Sequence, residues 1–260
     1  MSEPSQTLLG KVAIVTGGSK GIGAATTLQL VSKGANVVFT YSSDSSAANE
    51  LLAKINDMYP NSTSNTQPRV TPFKGDAGVV SDLKALVAKT LEVYERIDIL
   101  VLNAAIAPMH DLEHTTEEAF DSTMSVNVKG PYFLAQLVAP HLRAGSRIIF
   151  LSTSLVSVST VKPFYLLYVT TKGAVEQMVR VMSKDLARRG ITVNAVAPGP
   201  TGTDTFFVGK TDEVLDGLKN MIPMGRLGAP NDIAQVIAWL ADESSGWVTG
   251  QIIRANGGMA

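Results

Sequence analysis

Six short runs of apolar, mostly β-branched residues recur along the chain and are separated by longer amphipathic segments. The runs cover 12–16, 36–41, 69–74, 97–102, 147–151 and 191–196. Most are apolar throughout rather than alternating, which is typical of strands buried on both faces of a parallel sheet. The segments 22–33, 46–58, 81–94, 117–128, 132–142, 168–189 and 232–242 have the apolar spacing of helices. This pattern predicts a doubly wound α/β fold with helices on both faces of the sheet.

The chain shows no repeat, charge block or linker that would divide it into domains. Hydrophobic residues make up 45% of the 260 residues, which is enough for one large core. We predict a single domain over 1–260, with a flexible N-terminus over 1–9 and a polar surface loop over 60–68. The segment 199–228 is rich in Gly, Pro and Thr but carries Phe206 and Phe207. It predicts a lid over a pocket, with an ordinary long loop pinned by its aromatic residues as the alternative.

The charge and cysteine content exclude several classes of partner. A formal net charge of −1 lacks the long-range attraction that a nucleic-acid or anionic-membrane binder shows. Without cysteine there is no disulfide, zinc–sulfur site or iron–sulfur cluster. The uncharged stretches are too short to span a membrane, and residues 1–10 lack the features of a secretion signal. We therefore expect a soluble, cytoplasmic protein that acts on a small molecule.

A glycine cluster follows the first predicted strand, in the sequence Thr16-Gly17-Gly18-Ser19-Lys20-Gly21-Ile22-Gly23. Glycines allow a tight turn, and the helix that follows offers unpaired N–H groups and a positive dipole end to a pyrophosphate. At the first strand-to-helix junction of a parallel sheet, this cluster predicts a dinucleotide-binding turn. The predicted binding residues are Gly17, Ser19, Lys20, Gly21, Ile22 and Gly23.

The end of the second predicted strand bears on which dinucleotide binds. NAD-binding folds usually place a carboxylate there for the ribose hydroxyls, whereas this strand ends in Tyr41, Ser42 and Ser43. Serine hydroxyls could donate to a 2′-phosphate, and Lys20 could neutralise it. The sequence therefore predicts NADP(H). The alternative is that Asp44 reaches the ribose and the protein uses NAD.

A tyrosine and a lysine lie four residues apart at Tyr168 and Lys172, which places them on one face of a predicted helix. Such a pair alone is often an ordinary surface pair. Here the fifth strand runs into Ser152, Thr153 and Ser154 about one crossover ahead of the tyrosine. Those hydroxyls follow the carboxyl edge of the sheet, where ligands of such sheets bind.

Together, the glycine cluster, the Tyr168–Lys172 pair and the upstream hydroxyls resemble the classical short-chain dehydrogenase/reductase family. The resemblance extends from Gly10 to Gly258. Further positions that match the family's pattern are Asp76, Asn103, Ala104, Asn127, Pro198, Gly199, Thr201 and Thr203. It implies a Rossmann fold with a seven-stranded sheet and a homo-oligomer, a tetramer or a dimer. It also implies adenine contact for Asp76, a place on the active-site helix for Asn127, and cofactor contacts for the others.

The sequence departs from the family's pattern at two places. The usual Asn-Asn-Ala-Gly reads Leu102-Asn103-Ala104-Ala105, which puts the bracing of the neighbouring turn in doubt. The family's usual spacing, counted back from Tyr168, reaches Leu155, one residue past Ser154. Register from the strand favours Thr153 instead. We predict Ser154 as the catalytic hydroxyl, with Thr153 as the alternative, because either could donate to a carbonyl.

The family's chemistry implies hydride transfer between the nicotinamide and a carbonyl or alcohol. Tyr168 would be the proton donor, Lys172 would supply positive charge beside it, and Asn127 would hold a water that relays protons. Apolar residues between the hydroxyls and the tyrosine, and in the lid, predict a pocket for a ketone that is apolar or cyclic. These residues are Val156, Val158, Val161, Pro163, Phe164, Tyr165, Phe206, Phe207 and Met221.

Three other functions compete with an NADPH-dependent carbonyl reductase. A 3-oxoacyl carrier-protein reductase is the nearest, because its pattern is similar. A catalytically silent NADP-binding regulator is a second, although the tyrosine and the lysine are both intact. A zinc hydrolase is a third, because His110 to His114 matches a His-x-x-Glu-His pattern. That segment precedes a predicted helix beginning near Thr116, so we place it in a loop and predict no metal site.

Overall fold

The computed structural model describes residues 6–59 and 67–260. Most of the predicted loop over 60–68, and residues 1–5 of the predicted flexible N-terminus, lie outside the described residues. Leu8 contradicts that flexibility for the rest of the N-terminal segment. Its side chain is only 1% exposed and belongs to the core, and its N–H donates to the carbonyl of Lys33 at 2.9 Å. Burial of a leucine, worth about 1.5–3 kcal/mol, fixes this part of the chain.

Seven parallel strands form one sheet, as predicted. They are β1 (Val12–Val15), β2 (Asn36–Tyr41), β3 (Val70–Lys74), β4 (Ile99–Leu102), β5 (Arg147–Leu151), β6 (Thr192–Pro198) and β7 (Ile252–Ala255). The order across the sheet is β3-β2-β1-β4-β5-β6-β7, with Ala13 opposite both Val37 and Ile99. The strand order reverses between β1 and β4, and the crevice beyond that point is where doubly wound folds bind their ligands.

Helices cover both faces of the sheet. They are α1 (Gly21–Ser32), α2 (Ser45–Met58), α3 (Val80–Tyr94), α4 (Glu117–Met124), α5 (Gly130–Val138), α6 (Leu166–Leu186), α7 (Asp204–Phe207), α8 (Asp212–Met221) and α9 (Pro230–Ala241). Side chains of α1, α2 and α9 form one core with Ala13 and Val15, while those of α3, α5 and α6 form the other with Val12 and Ile14. Alternate residues of β1 thus enter different cores, which explains why the strands are apolar throughout.

The helix boundaries differ from the prediction at the active-site helix. The predicted helix over 117–128 ends as α4 at Met124, and a five-residue π-helical segment, Ser125–Lys129, joins it to α5. Such π-helical turns interrupt the regular ladder and are frequent at functional sites. Among residues 6–59 and 67–260, no helix is both long and apolar enough to cross a bilayer.

The segment 199–228, which we call the lid, contains two short helices that the sequence did not predict, α7 and α8. The two ends of the lid are joined by backbone hydrogen bonds. The N–H of Gly202 donates to the carbonyl of Gly228 at 2.8 Å, and the N–H of Gly228 donates to Pro200 at 2.9 Å. The lid is therefore a closed loop that leaves the edge of the sheet, and its two ends lie side by side.

Candidate active site

The glycine turn between β1 and α1 has a shape that only glycine permits at key positions. Gly17 and Gly21 have φ values of +61° and +52°, in the left-handed region. A Cβ at Gly23 would lie 2.1 Å from the carbonyl oxygen of Gly17, closer than any contact between such atoms. The turn therefore brings backbone, rather than side chains, to the start of α1, and this is the geometry that a pyrophosphate requires.

Asn103 braces this turn from the end of β4. Its Nδ2 donates to the carbonyls of Thr16 at 2.9 Å and Gly17 at 3.0 Å. The Oγ1 of Thr16 in turn accepts from the backbone N–H groups of Asn103 and Ala104, both at 3.0 Å. The departure at Leu102 thus leaves the turn braced, because Asn103 alone supplies the two side-chain donors.

Lys20 and Asp44 form an ion pair at the edge of the turn. The hydrogen bond from Lys20 holds the pKa of Asp44 below its usual range and raises that of Lys20. Asp44 also caps α2, because its carboxylate accepts from the N–H of Ala47 at 3.0 Å. The carboxylate of Asp44 thus has two partners in the protein. Lys20 is paired with Asp44, whereas the prediction had its ammonium group free to bind a phosphate.

A cavity of about 310 Å³ lies beside the ends of β1, β2 and β4. It brings together six of the predicted cofactor residues: Gly17, Tyr41, Ser42, Asp76, Asn103 and Ala104. Asp76 is held in place because its carboxylate accepts from the N–H of Gly78 at 2.7 Å. The size and position of this cavity suit a nucleoside. Ser43 lies just after the cavity residues and is not part of its lining.

A second cavity, of about 470 Å³, lies farther along the same edge of the sheet. Its lining includes eight predicted cofactor residues: Ile22, Asn103, Tyr168, Lys172, Pro198, Gly199, Thr201 and Thr203. Ser19, Lys20, Gly21 and Gly23 line neither of these two cavities, and belong to the turn between β1 and α1. Because Asn103 borders both cavities, one extended ligand could lie across the turn with its two ends in them.

The two predicted helix residues and the upstream hydroxyls meet in the second cavity. Lys172 is buried, and its Nζ donates to the carbonyl of Leu151 at 2.7 Å. The same Nζ lies 5.7 Å from the centre of the Tyr168 ring. The hydroxyl of Thr153 lies near the Tyr168 phenol and lowers its pKa. The carboxyl end of β5 and one face of α6 therefore place a phenol, an ammonium group and a hydroxyl together.

Burial shifts the pKa values of both ionisable groups away from the charged form. Desolvation raises the pKa of Tyr168 to about 12, and the hydrogen bond from Thr153 opposes this only in part. Desolvation lowers the pKa of Lys172 to about 8. Lys172 does not overcome the effect of burial on Tyr168, contrary to what the sequence suggests. Near neutral pH the phenol holds its proton, which suits a proton donor.

The structure distinguishes the two candidate hydroxyls. The Oγ of Ser154 donates to the carbonyl of Ala197 at 3.1 Å and accepts from Nδ2 of Asn256 at 3.0 Å. Thr153 is the residue whose hydroxyl lies near the Tyr168 phenol and lowers its pKa. The geometry thus favours Thr153, the alternative in the sequence, over Ser154. Thr153 lies farther from Tyr168 than the family's usual spacing, so counting back from the tyrosine misses it. Counting forward along the strand identifies it.

Asn127 lies in the π-helical segment and is almost fully buried. Its Oδ1 accepts from the N–H of Ile106 at 2.9 Å, while its Nδ2 donates to the carbonyl of Ile106 at 2.8 Å and to Oγ1 of Thr171 at 3.1 Å. The side chain therefore joins the loop after β4 to α6, next to Lys172. These three hydrogen bonds do not bear on the predicted role of Asn127 in holding a water.

The predicted apolar wall is present only in part. Val158, Val161, Tyr165, Phe206 and Met221 line the second cavity, whereas Val156, Pro163, Phe164 and Phe207 do not. The sequence missed further apolar lining residues, among them Met109, Leu218 and Met259. Of these, Met259 had the weakest signal, because nothing in a C-terminal methionine indicates that it returns to the site.

The histidine segment after β4 forms a loop, as placed from the sequence. His114 and Asp111 are joined by a 2.6 Å contact between Nδ1 and Oδ1. Within the described part of the chain, no three His, Asp or Glu side chains are grouped so that they could hold a metal ion.

A parallel sheet with a braced glycine turn, and a phenol and an ammonium group beside a cavity at the same edge, defines a dinucleotide-binding oxidoreductase of the Rossmann type. A family model described as "Enoyl-(Acyl carrier protein) reductase" matches residues 17–260. The chain belongs to the short-chain dehydrogenase/reductase family, which confirms the resemblance found in the sequence.

Similar proteins include the "NADPH-dependent aldehyde reductase 2, chloroplastic" of Arabidopsis thaliana, which is 39% identical and aligned over 99% of this chain and 97% of its own length. The "Hydroxynaphthalene reductase-like protein Arp2" of Metarhizium brunneum is 35% identical over 98% and 97% of the two chains. Among solved structures, that of the angucycline C-6 ketoreductase LanV with bound NADP has a TM-score of 0.89 at 36% identity, covering 98% of this chain and 97% of that one.

Proposed function

We propose that the protein reduces the carbonyl of a small, apolar or cyclic ketone or aldehyde to an alcohol with NADPH, and catalyses the reverse reaction. The observation that carries this proposal is the Tyr168 phenol, which lies with Thr153 and Lys172 in the wall of a largely apolar cavity of about 470 Å³. The names of the similar proteins, an aldehyde reductase, a hydroxynaphthalene reductase-like protein and a ketoreductase, support the same chemistry.

The residues present fit a nicotinamide dinucleotide. Gly23 lets the glycine turn pack directly against the start of α1, because a Cβ there would collide with the carbonyl of Gly17. The backbone N–H groups at the start of α1 could then bind a pyrophosphate. The nucleoside end would be held in the smaller cavity by Tyr41, Ser42 and Asp76, and the nicotinamide end by residues of the larger cavity. When bound, the cofactor supplies the hydride; the protein positions the carbonyl and handles the proton.

Tyr168 would give its proton to the carbonyl oxygen during reduction. Because its pKa is raised to about 12, the phenol is protonated when the substrate arrives. Thr153 would orient the same oxygen through its hydroxyl, and its place beside the Tyr168 phenol supports this role. Lys172, fixed by the carbonyl of Leu151, would stabilise the negative charge left on Tyr168.

Re-protonation of Tyr168 completes the cycle and requires a route from solvent. We assign Asn127 a positioning role in that route. Its hydrogen bond to Thr171 holds the turn of α6 that carries Lys172. Its side chain already has three partners in the protein, so a relay water near it would depend on backbone oxygens of the π-helical segment for its remaining bonds.

Asp44 offers a test of cofactor choice. Asp44→Asn keeps a good helix cap but removes the charge that competes for Lys20. We expect the dissociation constant of NADPH to fall by about 3- to 10-fold, because the freed ammonium group can pair with the 2′-phosphate. NADH binding should change by less than about twofold. Titration of nicotinamide fluorescence measures both, with Asp57→Asn on α2 as a control for charge alone.

If Asp44 instead contacts ribose hydroxyls, Asp44→Asn weakens NADH binding and leaves NADPH binding unimproved. That result would favour NAD as the cofactor and contradict the assignment of Lys20 to a phosphate.

We also propose that the protein is a homo-oligomer, a tetramer or a dimer. Support comes from apolar surface near the C-terminus, where Trp247 is 100% exposed and Trp239 is 41% exposed. Large exposed aromatic side chains are typical of interaction surfaces. A cytoplasmic location remains part of this proposal and rests on the absence of cysteine in the sequence.

The direct test is a set of NADPH-dependent assays with purified protein. Single-ring and two-ring ketones, aldehydes, quinones and a 3-oxoacyl thioester would be compared at equal concentration. We expect the highest kcat/KM for a ring ketone. Turnover of the thioester alone would instead support the 3-oxoacyl carrier-protein reductase. Binding of NADPH without turnover of any carbonyl would support the silent regulator.

A further inference from the structure

The last five residues, 256–260, which we call the tail, follow β7 and return to the larger cavity. Asn256 organises the tail: its Oδ1 accepts from the N–H of Gly258 at 3.0 Å, and its Nδ2 donates to the carbonyl of Ala260 at 3.2 Å. Nδ2 also donates to Oγ of Ser154 at 3.0 Å. One amide thus folds the tail into a turn and ties it to the loop after β5.

Ser154 is a fixed partner in this arrangement. It is 2% exposed, and its only hydroxyl proton is directed to the carbonyl of Ala197 at 3.1 Å. The oxygen accepts from Asn256. A serine hydroxyl has a single proton to donate, so Ser154 cannot polarise a substrate carbonyl without giving up its bond to β6. Its position suits holding the tail, not reacting.

The tail also packs against the lid. The N–H of Met224 donates to the carbonyl of Gly257 at 3.1 Å. Gly257 has a φ of +63°, and a Cβ there would lie 2.7 Å from Cγ2 of Ile222. Just before the tail, Arg254 of β7 donates to Oγ of Ser157, in the loop after β5, at 3.0 Å. The tail therefore lies between the loop after β5 and the lid, and from there Met259 lines the cavity.

We infer that Ser154 and Asn256 form a latch that holds the tail as a wall of the substrate pocket, and that Met259 on this wall limits the size of the ring system accepted. This inference rests on the proposed function, since it concerns the substrate of the same site. Ser154 is then a positioning residue for specificity, while Thr153 is the hydroxyl that meets the reacting oxygen. A methionine wall is adaptable, so losing its anchor should widen the pocket rather than abolish it.

The test compares two ketones, cyclohexanone and 1-tetralone, with four variants. We expect Ser154→Ala and Met259→Ala each to raise the ratio of kcat/KM for the two-ring ketone over the one-ring ketone by about 5- to 10-fold. Thr153→Ala should lower kcat for both ketones by about 100-fold and leave the ratio unchanged. Ser159→Ala, an exposed serine of the same loop, is the matched control.

A second measurement does not depend on turnover. The N–H of Met259 donates to the carbonyl of Asn256, so its hydrogen exchange reports whether the tail is folded. We expect faster exchange across the tail in Ser154→Ala than in Ser159→Ala. If the wild-type protein reduces neither ketone, the proposed function fails while the exchange result still decides the latch. Equal exchange in the two variants, or a loss of kcat in Ser154→Ala that matches Thr153→Ala with no change in ratio, would overturn the inference.

Discussion

Tyr168→Phe is expected to lower kcat for ketone reduction by about 10³-fold, while the dissociation constant of NADPH changes by less than about threefold. The substitution removes one hydroxyl and keeps the ring packed at the start of α6. That hydroxyl is the proton donor that we propose, and its raised pKa means that it carries a proton at neutral pH. Steady-state rates with saturating NADPH, together with a fluorescence titration of the cofactor, separate chemistry from binding.

The matched control is Tyr132→Phe, on the exposed side of α5, which loses the same atom away from the cavity. Its kcat should stay within about twofold of the wild type. A Tyr168→Phe protein that keeps more than about a tenth of the wild-type kcat would show that another group supplies the proton, and the mechanism proposed for this site would fail.

The raised pKa of Tyr168 also bears on the direction of reaction. A protonated phenol is ready to donate in reduction, whereas oxidation of an alcohol needs the phenolate. Burial opposes that phenolate, whereas Thr153 and the ammonium group of Lys172, 5.7 Å from the centre of the ring, favour it. The site without its cofactor is therefore set for reduction near neutral pH, and oxidation should become efficient only at higher pH.

The fold could be predicted from the sequence because its signals are local. The strand 12–15 is apolar at every position, and the structure places alternate members of it in two different cores. A strand of this kind fits only a sheet covered on both faces. The glycine turn was equally visible, since Gly17 and Gly21 adopt backbone angles that other residues avoid.

The parts of the site that escaped prediction depend on contacts between distant residues. The bond from Asn256 to Ser154 joins positions 102 residues apart, and neither residue carries a sign of the other. Choosing Thr153 over Ser154 needed the direction of each hydroxyl, which spacing does not give. The pairing of Lys20 with Asp44 likewise required the positions of both side chains.

The two helices of the lid escaped prediction from the sequence for a different reason. Its helices α7 and α8 are short, and isolated helices of such length have little intrinsic stability. They persist because capping and packing hold them, as where Thr203 accepts from the N–H of Phe206 at 3.2 Å and Phe207 lies against Gly202. Composition alone therefore indicated an irregular loop.

Lys172→Met should lower kcat by about 100-fold and remove a pH dependence that the wild-type protein shows. Burial disfavours the charged ammonium group and lowers its pKa to about 8. The charge is therefore present below about pH 8 and is lost as the pH rises through that value. If the ammonium group stabilises the phenolate formed in reduction, kcat of the wild type declines above about pH 8, and the Lys172→Met protein lacks this decline.

The measurement is kcat for reduction from pH 6 to 9.5 at constant ionic strength. Lys184→Met, at the exposed end of the same helix, is the control and should retain the wild-type profile. Because methionine leaves the carbonyl of Leu151 without its donor, a cost of about 1–3 kcal/mol is expected, and a thermal melt confirms that the variant is folded at the assay temperature. A decline near pH 8 that persists in Lys172→Met would assign it to another group and remove Lys172 from the proton chemistry, leaving it only the binding role that its place beside the cavity supports.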